Sequence, residues 1–249
     1  DLNGDVGEGR YGELDQNADM TIDFGFYIPA MSLGNRVFFD YNNDREFQPD
    51  GTDGIPGNAD DEQPVAGVTV NLFQTDAAGV VIDQDGDGGS YLDAGDIIAT
   101  DITNADGYYL FDNLEPGFYV VVINENNFRT GGVLIDYMSS QDTAGIPTDD
   151  GDDQFENGID NMTPDAGGVS SPVTELVPGA ETATETDKDP IEGDGEPNIE
   201  VTNSDLTVDF GFYRPMSIGN RVWLDNGADG SGGTIVGNRN NGVIDANEV

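Results

Sequence analysis

The clearest apolar rhythm along this chain has a period of two. In "VTVNLFQT", Val68, Val70 and Leu72 point one way and Thr69, Asn71 and Phe73 the other. That is the alternation of a strand with one face on a core. The turn "DAAG" at 76–79 leads into "VVID", and "IIATDIT" is followed by "NADG" at 104–107 and then "YYLF", which reads as a hairpin. The Pro-Gly turn "LEPG" at 114–117 precedes "FYVVVI", a run apolar on both faces, as a central sandwich strand is. "GNRVFFD" turns Val37 and Phe39 inward, and "TIDFGFY" turns Ile22, Phe24 and Phe26 to one face. Neither "ENGIDN" nor "ETATETDKD" carries the apolar stripe of a helix. The pattern predicts an all-β sandwich with Gly, Pro and Asp turns.

The strand pattern repeats on a long period. "MTIDFGFYIPAMSLGNRVFFD" near the start returns as "LTVDFGFYRPMSIGNRVWLD" near the end. The spacing predicts one complete unit over 31–215, the closing part of a preceding repeat over 1–30 and the opening part of a following one over 216–249. Closing and opening strands are separated only by a short stretch holding Pro29 or Pro215, which predicts a restricted angle between successive units. Residues 162–200, rich in Thr, Pro, Gly and acid, read as a long loop or insertion.

Charge changes the picture. Fifty Asp and Glu stand against eight Lys and Arg, a net charge of −42 over 249 residues. Such a chain repels itself when compact, and its recurrent strands argue against disorder. Lys188 is the sole lysine and the arginines are scattered, so no basic face exists for nucleic acid. Cysteine and histidine are absent. This excludes disulfides, the usual zinc sites and His-dependent nucleophilic triads. No run is long and apolar enough for a membrane-spanning helix. The partner such a chain calls for is a metal cation.

The acids gather in loops. In "DQDGDGGSYLDAGD", Asp83, Asp85 and Asp87 alternate ahead of Gly88, as in the front half of a calcium loop. Asp93 and Asp96 follow about two positions later than the standard closing ligands. In "DYNNDREFQPDGTDGIPGNADDE", Asp40, Asn42 and Asp44 have the same spacing, and Glu62 lies just before the next strand. The following unit offers Asp225, Asp229, Asn241, Asp245 and Glu248 in the corresponding places. A third cluster is Asp150, Asp152, Asp153, Glu156 and Asp160; a fourth is Asp1, Asn3 and Asp5, with Asp187 and Asp189 as weaker counterparts. The plain alternative for all of them is that Asp, Asn and Gly are good turn residues. Oxygen-only donors in flexible loops favour Ca2+ over transition metals and over magnesium.

The stretches "SLGNRVFFDYNND", "PVAGVTVNLFQTDAAG", "TDITNADGYYLFDNLEPGFYVVVI", "DNMTPD" and "MTIDFGFY" resemble the B-type repeat (SdrD B-like domain) of serine-aspartate-repeat surface proteins, within the collagen-adhesin B-type group. The resemblance covers the complete unit in order. It implies an immunoglobulin-like, transthyretin-like sandwich in tandem repeats, extracellular at the cell surface or in a secreted filament. It also implies calcium held by Asp40, Asn42, Asp44 and Glu62 in the loop after the first strand. The chain departs from the family in stretching that loop. The opening strand also carries Arg36 and no lysine, so the isopeptide staple of some relatives is not expected.

These readings converge on a non-catalytic structural repeat of a stalk or filament, rigidified by calcium. Its partners are neighbouring repeats or copies of itself, in a tandem array or by strand donation. The alternative is an adhesin module for a protein or glycan, with Tyr91, Tyr108, Tyr109 and Trp223 as candidate contacts. Catalysis by paired carboxylates is disfavoured, because the pairs sit in turn-like loops with no other catalytic group beside them.

Overall fold

A computed structural model of the chain describes residues 30–88, 92–140, 156–180, 201–216 and 218. The chain divides into two compact units, Asp1–Arg214 and Pro215–Val249. The strands of the first unit are β1 (Met31–Phe39), β2 (Gln63–Pro64), β3 (Thr69–Thr75), β4 (Ile97–Ile102), β5 (Tyr108–Leu114), β6 (Gly117–Ile123), β7 (Met138–Ser139), β8 (Val169–Ser170), β9 (Thr174–Leu176), β10 (Ser204–Asp205) and β11 (Phe210–Tyr213). Six of them form one sheet around β1 and five form a second, in the order β4-β3-β6-β8 with β9 also on β6. The all-β expectation holds. The only α-helical element among the described residues is the single turn Pro164–Gly167, and none is long and apolar enough to cross a membrane.

The alternation read from the sequence sets the core. Val68, Val70 and Leu72 are buried between the sheets with Leu33, Val37, Tyr109, Val121, Phe210 and others. Phe73, from the opposite face of β3, joins Val120 and Val122 of β6 in a smaller outer cluster. "FYVVVI" is thus apolar on both faces because both faces are covered. Each fully buried side chain of this size contributes about 1.5–3 kcal/mol.

β1 is the central strand. It runs antiparallel to β5 and then β2 on one side, and parallel to β10 and then β11 on the other. Gly34 of β1 has no room for a side chain: a Cβ there would lie 2.4 Å from the Tyr109 carbonyl oxygen.

Two elements differ from the sequence reading. "NADG" is a corner, not a hairpin: the Gly107 amide donates to Asn104 O, but β4 belongs to one sheet and β5 to the other. Past that corner, the Leu110 amide of β5 donates to Asp101 Oδ2 of β4 at 2.9 Å. And part of 162–200 is strand, since β8 and β9 both pair with β6.

Candidate metal centre

Strand register assembles the first acidic site. β1 ends at Phe39, β2 begins at Gln63, and these two residues are cross-strand partners. The next residue outward on each side is Asp40 or Glu62, so the two stems of a long excursion place these carboxylates side by side. Asp44 joins them: one carboxylate oxygen from each of the three lies within 4.8 Å of the other two. Asp40 (0% exposed) and Glu62 (2%) are buried, and Asp44 is exposed.

Backbone amides hold this arrangement. Asp40 Oδ1 accepts from the Asp44 amide at 3.2 Å and Oδ2 from the Arg45 amide at 2.9 Å. Glu62 Oε1 accepts from the Tyr41 amide at 3.0 Å and Oε2 from the Gln48 amide at 2.8 Å. Asn42 is not one of the converging carboxylates. Its Oδ1 accepts from the Asp44 amide at 2.9 Å and its Nδ2 donates to Asp44 Oδ2 at 2.7 Å. Burial pushes the Glu62 carboxyl up to about 8, reinforced by the neighbouring Asp40 and Asp44 charges and opposed by the two amide bonds. Two carboxylates at this separation repel by about 3–4 kcal/mol at an effective dielectric of ~20. A group of hard oxygen donors under that load has the chemistry of a divalent-cation site.

The sixth position of a standard calcium loop is a glycine at a sharp turn. Counting from Asp40 it is Arg45, which takes φ 74°, a costly conformation for a side-chain-bearing residue. Its guanidinium donates to Glu156 Oε1 at 3.1 Å and to Glu156 O at 2.9 Å. Glu156, 1% exposed, belongs to the third cluster read from the sequence. Its carboxyl is pushed up to about 8 by burial, against the pull of Arg45. This tie between the first and third clusters was missed in the sequence, where its only trace is an arginine inside an acidic run.

The second site uses the same device. β3 turns back at Asp76–Gly79, so that Val81 bridges to Thr75, and an acidic excursion follows before β4 begins at Ile97. Oxygens of Asp83, Asp85 and Asp96 lie within 4.8 Å of one another. Gly88, the sixth position here, has φ 79°. The Asp83 carboxylate accepts from the Gly86 and Gly88 amides. Asp96 closes the short turn Ala94–Asp96, and its Oδ1 accepts from the Gln84 amide at 2.7 Å. Of the remaining predicted ligands, Asp93 caps that turn through the Gly95 amide, and Asp87 lies exposed outside the converging trio. Asp160 is exposed. Asp1, Asn3, Asp5, Asp150, Asp152, Asp153, Asp225, Asp229, Asn241, Asp245 and Glu248 lie outside the described residues, as do Tyr91 and Trp223.

No family model matches the chain. It is 32% identical over 183 residues to serine-aspartate repeat-containing protein F of Staphylococcus epidermidis, covering 72% of this chain and 8% of that protein. It is 39% identical over 104 residues to the fibrinogen-binding protein of the same species, covering 41% of this chain and 7% of that protein. Serine-aspartate repeat-containing protein D of Staphylococcus aureus (strain Newman) is 27% identical over 177 residues, covering 66% of this chain and 11% of that protein. The chain thus spans about a tenth or less of the length of these relatives. Among solved structures, a minor pilin of Streptococcus agalactiae aligns with 78% of this chain and 49% of its own at 11% identity and a TM-score of 0.31. The chain is an all-β module of the cell surface, structural or adhesive. Its relatives are the serine-aspartate-repeat proteins, in agreement with the B-type repeat motifs carried by its strands.

Proposed function

We propose that the chain is a non-catalytic structural repeat of a long extracellular surface protein, a stalk or filament, stiffened by calcium in its Asp/Asn-rich loops. The observation that carries this reading is the meeting of Asp40, Asp44 and Glu62 at one loop stem, two of them buried. Three carboxylates in that position favour the folded state most when a divalent cation neutralises them. The ion is then a staple between β1 and β2. Neighbouring repeats or further copies of the chain are the partners this function requires.

The adhesin alternative draws on the relative named for fibrinogen binding. Two of its candidate contacts are committed elsewhere in this chain. Tyr109 is buried and donates to Val208 O at 2.6 Å. Tyr108 is buried against the Arg36 guanidinium, which lies 4.3 Å from its ring centroid. Both aromatics serve packing, which favours the structural reading.

The test is thermal unfolding of the 249-residue chain in millimolar calcium, in EGTA and in magnesium. A cation that binds only the folded state adds about 2.7 kcal/mol at a hundredfold excess over its Kd, or roughly 5–10 °C for a domain of this size. A calcium-specific rise of that order is expected. Equal melting in calcium and EGTA overturns the proposal.

A further inference from the structure

The β3–β4 excursion contains a carboxylate oxygen that the protein itself leaves unsatisfied. Asp96 is 1% exposed. Its Oδ1 is taken by the Gln84 amide, but its Oδ2 has no hydrogen-bond partner among the described residues. A buried carboxylate oxygen left in this state is desolvated without compensation. Asp96 converges with Asp83 and Asp85, and no positive side chain occurs in the sequence between Arg45 and Arg129. Gly95 completes the cradle: a Cβ there would lie 1.9 Å from Asp85 Oδ2, so the bare backbone is what lets Asp85 reach the group.

We infer that Asp83, Asp85 and Asp96 form a second, independently built site for a hard divalent cation, calcium by its donor set, which clamps the edge of the five-stranded sheet. Asp83 and Asp85 follow the returning segment that ends at Ile82, and Asp96 immediately precedes β4. An ion between them joins the two stems of the excursion. On those stems Val81 and Ile97 pack with Phe73, Val120 and Val122 in the outer cluster. Ile97 also sits at an irregularity in the β3–β4 ladder. The clamp therefore holds the start of an edge strand, beside the one register shift in its ladder. The inference rests on the calcium reading for its choice of ion, but it involves different residues from the β1–β2 staple.

Hydrogen exchange of the whole chain, followed amide by amide in calcium and in EGTA, tests it. Calcium is expected to slow exchange at Ile82, Gln84, Gly86 and Gly88 by about tenfold or more. The slowing should persist in Glu62→Gln and vanish in Asp96→Asn. That variant keeps an oxygen for the Gln84 amide and replaces the unsatisfied one with a donor. In EGTA, Asp96→Asn should therefore exchange more slowly than the wild type at the same amides, so that the two chains reverse their order when calcium is added. Asp83→Asn, a surface change, should reproduce the loss in calcium. No calcium effect at these amides in the wild type, or an effect that survives Asp96→Asn, overturns the inference. So does one that disappears equally in Glu62→Gln. If only the β1–β2 staple fails to bind, Glu62→Gln leaves the calcium-linked melting shift unchanged while Asp96→Asn removes it, so the two failures are distinguishable.

Discussion

Both acidic excursions leave the sandwich at a strand end and return through a buried carboxylate, Glu62 in one and Asp96 in the other, but they balance that carboxylate differently. Around Glu62 and Asp40 every carboxylate oxygen already receives a backbone amide, and an arginine stands in the same loop. Around Asp96 one oxygen receives nothing from the described residues. The first loop tolerates Arg45 at a positive φ because its guanidinium is bound to buried Glu156. The second uses Gly88 at the equivalent turn and gains no charge from it. The first stem is thus held together by amides, whereas the second leaves a buried carboxylate oxygen without a partner among the described residues. Amides can orient carboxylates, but they leave the net negative charge in place.

The largest expected effect comes from removing the keystone of the first stem. Asp40→Ala strips the acceptors from two amides, and the folded chain should lose about 2–4 kcal/mol in EGTA and also lose the greater part of its calcium-linked stabilisation. Denaturant titration with and without calcium measures both. A loss of calcium response without loss of apo stability would break the contrast between the two stems, since the first would then owe nothing to its amides.

Next in size is a pH effect on the tie between the clusters. The Glu156 carboxyl keeps its proton to about pH 8 when folded and has a reference value of 4.5. The folded chain therefore binds this proton more tightly than the unfolded chain. The group's contribution to stability is fully present below the lower value and is lost as pH rises through the higher one. The melting temperature in EGTA should accordingly fall across that window, and Glu156→Gln should flatten the fall. An unchanged slope in the variant would show that Arg45 keeps Glu156 ionised throughout.

The smallest effect belongs to Gly95→Ala. Its methyl group displaces Asp85, so calcium affinity at the second stem should drop by about tenfold, or ~1.4 kcal/mol, with the first stem untouched. Site-resolved calcium titration by NMR would separate the two. An equal drop at both stems would mean that they are one linked site.

Much of the fold was legible in the chain. Period-two alternation marks β3, an apolar run marks β6 because both its faces are covered, and the "DFGFY" motif marks β11 through Phe210 and Phe212. The corner at "NADG" was not legible, because the same turn chemistry serves a hairpin and a crossing between sheets. β8 and β9 were hidden in a Thr- and Pro-rich stretch, being only two and three residues long. At the sites, spacing proposes Asp83, Asp85 and Asp87 equally. Only the return of the chain into β4 shows that buried Asp96 converges with the first two and that Asp87 does not. Asp40 and Glu62 were legible as a pair because each flanks a readable strand.

The parallel pairing of β1 with β11 has a mechanical consequence. The unit's opening strand and its closing strand are neighbours running in the same direction, with Val37, Phe38 and Phe39 beside Phe210, Gly211 and Phe212. Tension applied at Met31 and Tyr213 therefore pulls the two strands lengthwise past each other. Their hydrogen bonds share the load at once rather than parting one at a time from an end. Rupture in that geometry requires simultaneous failure, and its rate is set by the unfolding barrier rather than by equilibrium stability. The sandwich is wired to be loaded in shear.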